Sequence, residues 1–303
     1  MPRKRSTDEG DELLARLGSL TAQARERAEL QRTQVELAIA LQRGMLPRDL
    51  PTAPGLHLAV RYTPANLGLN VGGDWYDAFA LPDGRIGLAI GDVQGHNIEA
   101  AAFMGQVRAG LRALASVTSE PGELLARTND LLLALGGELF ATCTFMRLDL
   151  ASGVLESARA GHIPFVWATA DGKSGVVDGE GGPPLGIDKG MEFPVSRHRL
   201  TTGGVFVLLT DGVVEGPSLN MEDGLDQVVR LAGLAAVAGL DAHALAAAVI
   251  KGAESVGHED DAAVLVVGLE GPGNHPHGCG PTTVDTGAGG RSGPVGTAPV
   301  IQP

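Results

Sequence analysis

Four segments of the chain set aspartates beside glycine or against an apolar run: VGGDWYD with Asp74, IGLAIGD with Asp92, GVFVLLTDG with Asp211, and EDDAAVLVV with Asp260 and Asp261. A carboxylate at the end of a buried strand is costly when unpaired, because burial and nearby like charge both disfavour ionisation. Carboxylates converging from all four segments would repel one another by roughly several kcal/mol at an effective dielectric of ~20. No Lys or Arg lies within these segments, so a metal cation is the economical counter-charge. All-oxygen ligands select Mg²⁺, Mn²⁺ or Ca²⁺ over zinc, which prefers His and Cys. The eight histidines show no HxxxH pair. Glycine beside the ligands lets a main-chain carbonyl or a phosphate oxygen come close. For any single Asp-Gly a turn is the plainer explanation. Four acidic segments at strand ends favour a metal centre, provided the fold brings them together.

The elements that must position these carboxylates are short strands. Alternation of Leu56, Leu58, Val60 and Tyr62 predicts a strand over 56–63, and the pattern continues with strands at 74–81 and 85–91. Helices are predicted over 98–116 and 121–135, then strands over 140–149, 153–160 and 163–169, with turns at Ala151-Ser152-Gly153 and Asp171-Gly172. A strand over 204–210 leads to helices over 222–233 and 241–254, and the apolar run 262–269 closes the body. Consecutive strands joined by short turns imply antiparallel sheets, with the helices grouped between the strand runs. That is a layered α+β architecture and not a doubly wound parallel one.

Ahead of this body, which spans 47–269, residues 11–46 contain no Pro, few Gly and many helix formers. Leu13, Leu17, Leu20 and Ala24 recur at helical spacing, as do Leu30, Leu37, Leu41 and Met45, and Pro47 and Pro51 end the run. Such a helix either packs on the body or pairs with a second chain. Residues 1–10 and the Gly/Pro/Thr/Ser-rich segment 270–303 are expected to be disordered, with His275 and His277 simply solvated.

Composition narrows the function classes. With 44% hydrophobic residues among 303, a sizeable core is available. A net charge of −13 opposes binding to nucleic acid or to an anionic membrane, since no basic surplus exists to neutralise phosphates. Cys143 sits in an apolar run and Cys279 in the tail, which suggests neither a disulfide framework nor a thiolate metal site. The N-terminus lacks the apolar core of a secretory signal, and no stretch reaches the ~18 uninterrupted apolar residues of a membrane span. A cytoplasmic protein is expected.

The run VGGDWYD, then a strand and GDVQGHNIEAAAFMGQVRAGLRAL, resembles the SpoIIE/RsbU branch of the metal-dependent PPM serine/threonine phosphatases. The resemblance continues through FATCTFMRLDL, the ARAGHIPFVWATADG hairpin, GGPPLGI, LLTDGVVEG and EDDAAVLVV, in order over residues 40–269. It implies an α-β-β-α sandwich, two antiparallel sheets flanked by helices. It also implies that Asp74, Asp92, Asp211 and Asp260, with the Val93 carbonyl, hold two Mn²⁺ or Mg²⁺ ions roughly 3.5–4 Å apart that activate a bridging water. That water would attack phosphorus in line, without a phosphoenzyme. Two departures from the family pattern stand out. Asn97 replaces a glycine after Gly-His and is expected to tolerate the left-handed turn there. Gln94 stands where other PPM enzymes carry a leaving-group histidine, and His96 is read as a capping or packing residue. Arg61, the one candidate phosphate clamp, reads better as a surface strand residue. Trp75 and Tyr76 read as packing, and Glu215 as fixing the turn after Asp211.

In relatives of this branch the substrate is a phosphorylated STAS-fold antagonist of an anti-sigma factor, so a phosphoprotein partner is expected. The helix over 11–46 is the expected place for an upstream regulator or a homodimer contact. Two alternatives remain: a non-catalytic phosphoprotein-binding module of the same fold, and an enzyme acting on small phosphate esters.

Overall fold

Apolar runs such as AAVLVVGL are too continuous to sit on a surface sheet and too short for a core helix, so they demand burial on both faces. The structure, a computed structural model, describes residues 3–64, 72–95, 97–177, 179–200, 203–239, 241–257 and 260–271. It meets that demand with two antiparallel five-stranded sheets stacked face to face between two pairs of helices.

One sheet joins β1 (Leu56–Thr63), β10 (Ala262–Leu269), β9 (Gly204–Leu209), β6 (Phe165–Thr169) and β7 (Ser174–Val177) in that order. The other joins β2 (Trp75–Ala80), β3 (Ile86–Val93), β4 (Ala141–Asp149), β5 (Val154–Ala160) and β8 (Val195–Arg199). Helices α2 (Ile98–Leu114) and α3 (Pro121–Leu135) cover the second sheet; α5 (Met221–Ala238) and α6 (Ala242–Val256) cover the first.

Alternate residues of one strand serve different layers. Ala263, Leu265 and Val267 of β10 pack between the sheets, while Val264 and Val266 face α5 and α6. In β3, Ile86, Leu88 and Ile90 pack between the sheets, while Ala89 and Val93 face α2 and α3. The period of two across a doubly covered strand explains why these segments are apolar throughout.

Most expected elements form within a residue or two of the expected bounds. Three were not anticipated: β7, β8 and the single-turn α4 (Asp211–Val214). The first two are short, four and five residues, and carry little hydrophobic pattern. The expected ARAGHIPFVWATADG hairpin is corrected: β5 and β6 lie in different sheets, and the chain crosses between them at 161–164. Gly161, at φ 63°, turns the chain, and Pro164 has no amide to continue a ladder. The true hairpin is β6–β7, around Asp171-Gly172.

Ahead of the sheets, the helix expected over 11–46 is α1 (Arg3–Met45). Gly10 and Gly18 lie inside it, and each internal glycine costs about 1 kcal/mol, which a long helix absorbs. Leu14, Leu17, Leu20 and Leu30 on α1 are exposed. Met45, at its end, packs with Leu46 on the α2–α3 layer and fills the space a side chain on Gly105 would need. The side chains of Leu13, Leu37 and Leu41, and the tail with His275, His277 and Cys279, lie outside the described residues.

Candidate metal centre

Antiparallel pairing puts the end of one strand beside the start of the next, and this brings the four acidic segments together. Trp75 at the start of β2 pairs with Gly91 near the end of β3, so Asp74 and Asp92 are neighbours. Leu209 at the end of β9 pairs with Val264 near the start of β10, so Asp211 lies beside Asp260 and Asp261. Both pairs stand at the same edge of the sandwich, where their charges act on one another across the two sheets.

The carboxylates show this mutual strain. Burial, then the charges of Asp92 and Asp261, raise the pKa of Asp74 well above the usual carboxylate range. Burial, then Asp211 and Asp260, push Asp92 up to about 8, opposed by hydrogen bonds with Asp74 and Val93. Burial and Asp260 raise Asp211, and Glu215, beyond the short turn, adds to the repulsion. Arg61 is exposed and its guanidinium bonds its neighbour's carbonyl, Val60 O at 3.3 Å, in keeping with a surface strand residue. Among the described residues no three His, Cys, Asp or Glu groups already stand close enough to enclose an ion.

Neighbouring polar groups fix individual carboxylates. Thr210 Oγ1 donates to Asp74 Oδ2 at 2.7 Å and accepts from the Ala263 amide at 2.9 Å, which ties the end of β9 to the start of β2. Tyr62 donates to Asp261 Oδ2 at 2.6 Å. Asp261 is buried, whereas Asp260 is exposed and accepts from the Asp261 amide at 2.8 Å. A side chain on Gly72 would fall on the Asp261 carboxylate, 0.9 Å from Oδ2; one on Gly73 would stand 2.3 Å from the Val93 carbonyl oxygen and 2.6 Å from Asp92 Oδ1. The Gly-Gly pair is therefore a steric requirement of the site, since a side chain at either position would collide with the Asp261 carboxylate, with Asp92 or with the Val93 carbonyl.

The segment after Asp92 departs from expectation. Asn97 is extended, at φ −130°, and caps α2 by accepting from the Ala100 amide at 2.8 Å; it has no left-handed role. Gly95, at φ 99°, supplies the left-handed residue instead. Gln94 is exposed, and its amide donates to Phe140 O at 3.1 Å. His96 lies outside the described residues. Trp75 is buried and Tyr76 half-buried, both as packing residues. Cys143 is buried, which pushes its thiol pKa up and makes it inert.

Sequence reasoning missed Thr210, Tyr62, Thr142, His162 and the buried Asp77. Thr210 and Asp77 sit inside motifs singled out for their aspartates, but their roles depend on contacts between distant segments. Asp77 on β2 accepts from Arg108 Nε of α2 at 2.9 Å, with Arg112 at 3.4 Å.

A family model described as Stage II sporulation protein E (SpoIIE) matches residues 82–270. Protein IcfG of Synechocystis sp. is 28% identical over 220 residues, covering 63% of this chain and 34% of that protein. Phosphoserine phosphatase RsbU of Bacillus subtilis is 25% identical over 186 residues, covering 61% of this chain and 54% of that protein. The chain thus spans from about a third to about half of these curated relatives. Among solved structures, the RsbU and RsbW domains of Rv1364c from Mycobacterium tuberculosis match at TM-score 0.66 and 33% identity, covering 74% of this chain and 64% of that one. The SiaA-PP2C domain of Pseudomonas aeruginosa has the same fold, at TM-score 0.66 and 20% identity over 82% of this chain and 99% of that one.

Proposed function

The chain belongs to the SpoIIE family, and on that premise we propose that it is a metal-dependent phosphatase acting on phosphoserine or phosphothreonine of a partner protein. The observation that carries this is the meeting of four aspartate-bearing strand ends at one edge, where burial and neighbouring carboxylates raise the pKa of Asp74, Asp92 and Asp211. A site made unfavourable by burial and repulsion becomes favourable when divalent cations lie among its carboxylates.

Asp74, Asp92, Asp211 and Asp260, with the Val93 carbonyl, would hold two ions, Mn²⁺ or Mg²⁺, as an oxygen-only donor set suits. When bound, such ions activate a water and offset charge on the phosphoryl oxygens. The chain's own residues prepare the site. Thr210 orients one oxygen of Asp74, and Gly72-Gly73 bring the backbone against Asp261 and Asp92.

The substrate is proposed to be a phosphorylated STAS-fold antagonist in the cytoplasm; similarity to a phosphoserine phosphatase and to a protein with an RsbW domain supports this. No helix among the described residues is long and apolar enough to cross a membrane. Exposed leucines on α1, and its contact with α2 through Met45, support α1 as the place where a second copy or a regulator acts. Full Mn²⁺-dependent activity in a protein starting at residue 47 would remove that role.

The direct test is hydrolysis of p-nitrophenyl phosphate with Mn²⁺, then with EDTA, beside Asp92→Ala and Asp211→Ala. Mn²⁺-dependent turnover lost in both variants is expected. Turnover unaffected by EDTA would overturn the metal mechanism. No turnover, even on a phosphorylated STAS protein, would favour a binding module.

A further inference from the structure

The crossover between the sheets, residues 161–164, carries a buried histidine that the proposed chemistry does not use. His162 follows β5 of one sheet and precedes β6 of the other. Its backbone is held by Arg159, whose Nη1 donates to His162 O at 3.0 Å. The imidazole Nε2 lies 3.1 Å from the carbonyl oxygen of Leu209, two residues before Asp211. Its Nδ1 lies 2.8 Å from Thr142 Oγ1, and Thr142 Oγ1 accepts from the Asp92 amide at 3.2 Å.

These contacts fix the protons. A carbonyl oxygen can only accept, so Nε2 carries a proton and donates to Leu209. A neutral ring then accepts at Nδ1 from the Thr142 hydroxyl, whose oxygen remains open to the Asp92 amide. Burial lowers the ring's pKa to about 4, which keeps it neutral. The result is one unbroken chain from the strand end before Asp211 to the amide of Asp92.

We propose that His162 is a positioning residue: a neutral imidazole strut that, through Thr142, sets the separation of the Asp92 and Asp211 strand ends and so the affinity of the site for its divalent cations. This rests on the metal-centre assignment above. Thr210 braces Asp74 from the same end of β9, so residues 209 and 210 together reference two aspartates of the second sheet to Asp211.

The test is Mn²⁺ binding by calorimetry on the full chain, with melting temperature in EDTA measured alongside. His162→Leu and Thr142→Val should each weaken Mn²⁺ binding about tenfold or more, as loss of supports behind metal ligands typically does. The double variant should lose no more than the worse single, because both cut one chain. Nitrogen-15 shifts of the wild-type ring should show the Nε2–H tautomer. Mn²⁺ affinity within twofold of wild type in folded variants would overturn the proposal, whatever the melting temperatures do, and so would an Nδ1–H ring. If His162→Leu does not fold, Thr142→Val decides alone, since it spares the bond to Leu209 and cuts only the link to Asp92. Wild-type protein that binds no Mn²⁺ would instead remove the metal assignment, and this strut with it.

Discussion

At the scale of residues, the aspartates depend on groups chosen for their fit to a crowded edge. Thr210 is a clear case, because its hydroxyl both donates to Asp74 and accepts from the Ala263 amide. Thr210→Val keeps the shape but leaves a buried amide unpaired and Asp74 unsupported. A loss of about 1–3 kcal/mol in EDTA is expected by denaturant unfolding. Mn²⁺-dependent turnover should fall with it. Unchanged stability would mean that the Ala263 amide finds another acceptor. The glycines of VGGD act by absence: space beside Asp261 and Asp92 exists because residues 72 and 73 lack a Cβ.

At the scale of elements, the strands flanking the site are tied to the helix that follows Asp92. Asp77 of β2, fully buried, receives Arg108 and Arg112 from successive turns of α2, and the Arg112 guanidinium also stands 4.9 Å over the Phe79 ring. Burial raises the Asp77 pKa, with the two arginines opposing it. Removing the carboxylate leaves Arg108, mostly buried, without its partner. Asp77→Ala should therefore destabilise by about 2–3 kcal/mol, below the figure for a fully buried pair because Arg112 stays half-hydrated. Asp77→Asn, which still accepts from Arg108, should cost about half as much. Equal losses in the two variants would show that the carboxylate charge carries the interaction and that side-chain volume and a neutral acceptor do not. α1 carries Leu14, Leu17, Leu20 and Leu30 exposed along its length, and Met45 in its last turn is seated on the α2–α3 layer.

At the scale of the whole molecule, two buried neutral histidines make global stability pH-dependent. Burial holds His162 at about 4 and His198 at about 4, against an ordinary value of 6.5. The unfolded chain therefore binds more protons between those values, and stability rises with pH across that window. Their contribution is complete above the unfolded pKa and is lost as pH falls through 6.5 toward 4. The loss is up to about 3 kcal/mol per histidine. In metal-free protein the raised pKa values of Asp74, Asp92 and Asp211 act in the opposite sense over the same range, so the histidine part is read as a difference: between pH 7 and pH 4.5, chemical denaturation should show wild type losing more stability, or gaining less, than His198→Phe. Identical pH dependence in the two proteins would mean that the His198 ring stays hydrated.

Sequence alone determined the layered α+β class, most element positions and the aspartates of interest. Those features follow from hydrophobic period, chain breakers and residue chemistry, all of which act over a few neighbours. The departures have a common cause. The crossover at 161–164 resembles a hairpin because Gly-His-Ile-Pro carries turn residues, yet nothing local says which sheet receives the next strand. Asn97 caps a helix because α2 starts there, and the preceding turn is made by Gly95. The meeting of Asp74, Asp92 and Asp211, the bracing by Thr210, and the bonds from His162 to Leu209 and Thr142 were decided only by tertiary structure. Each joins segments far apart in the chain, and such contacts exist only once two sheets have stacked and excluded water from the edge between them.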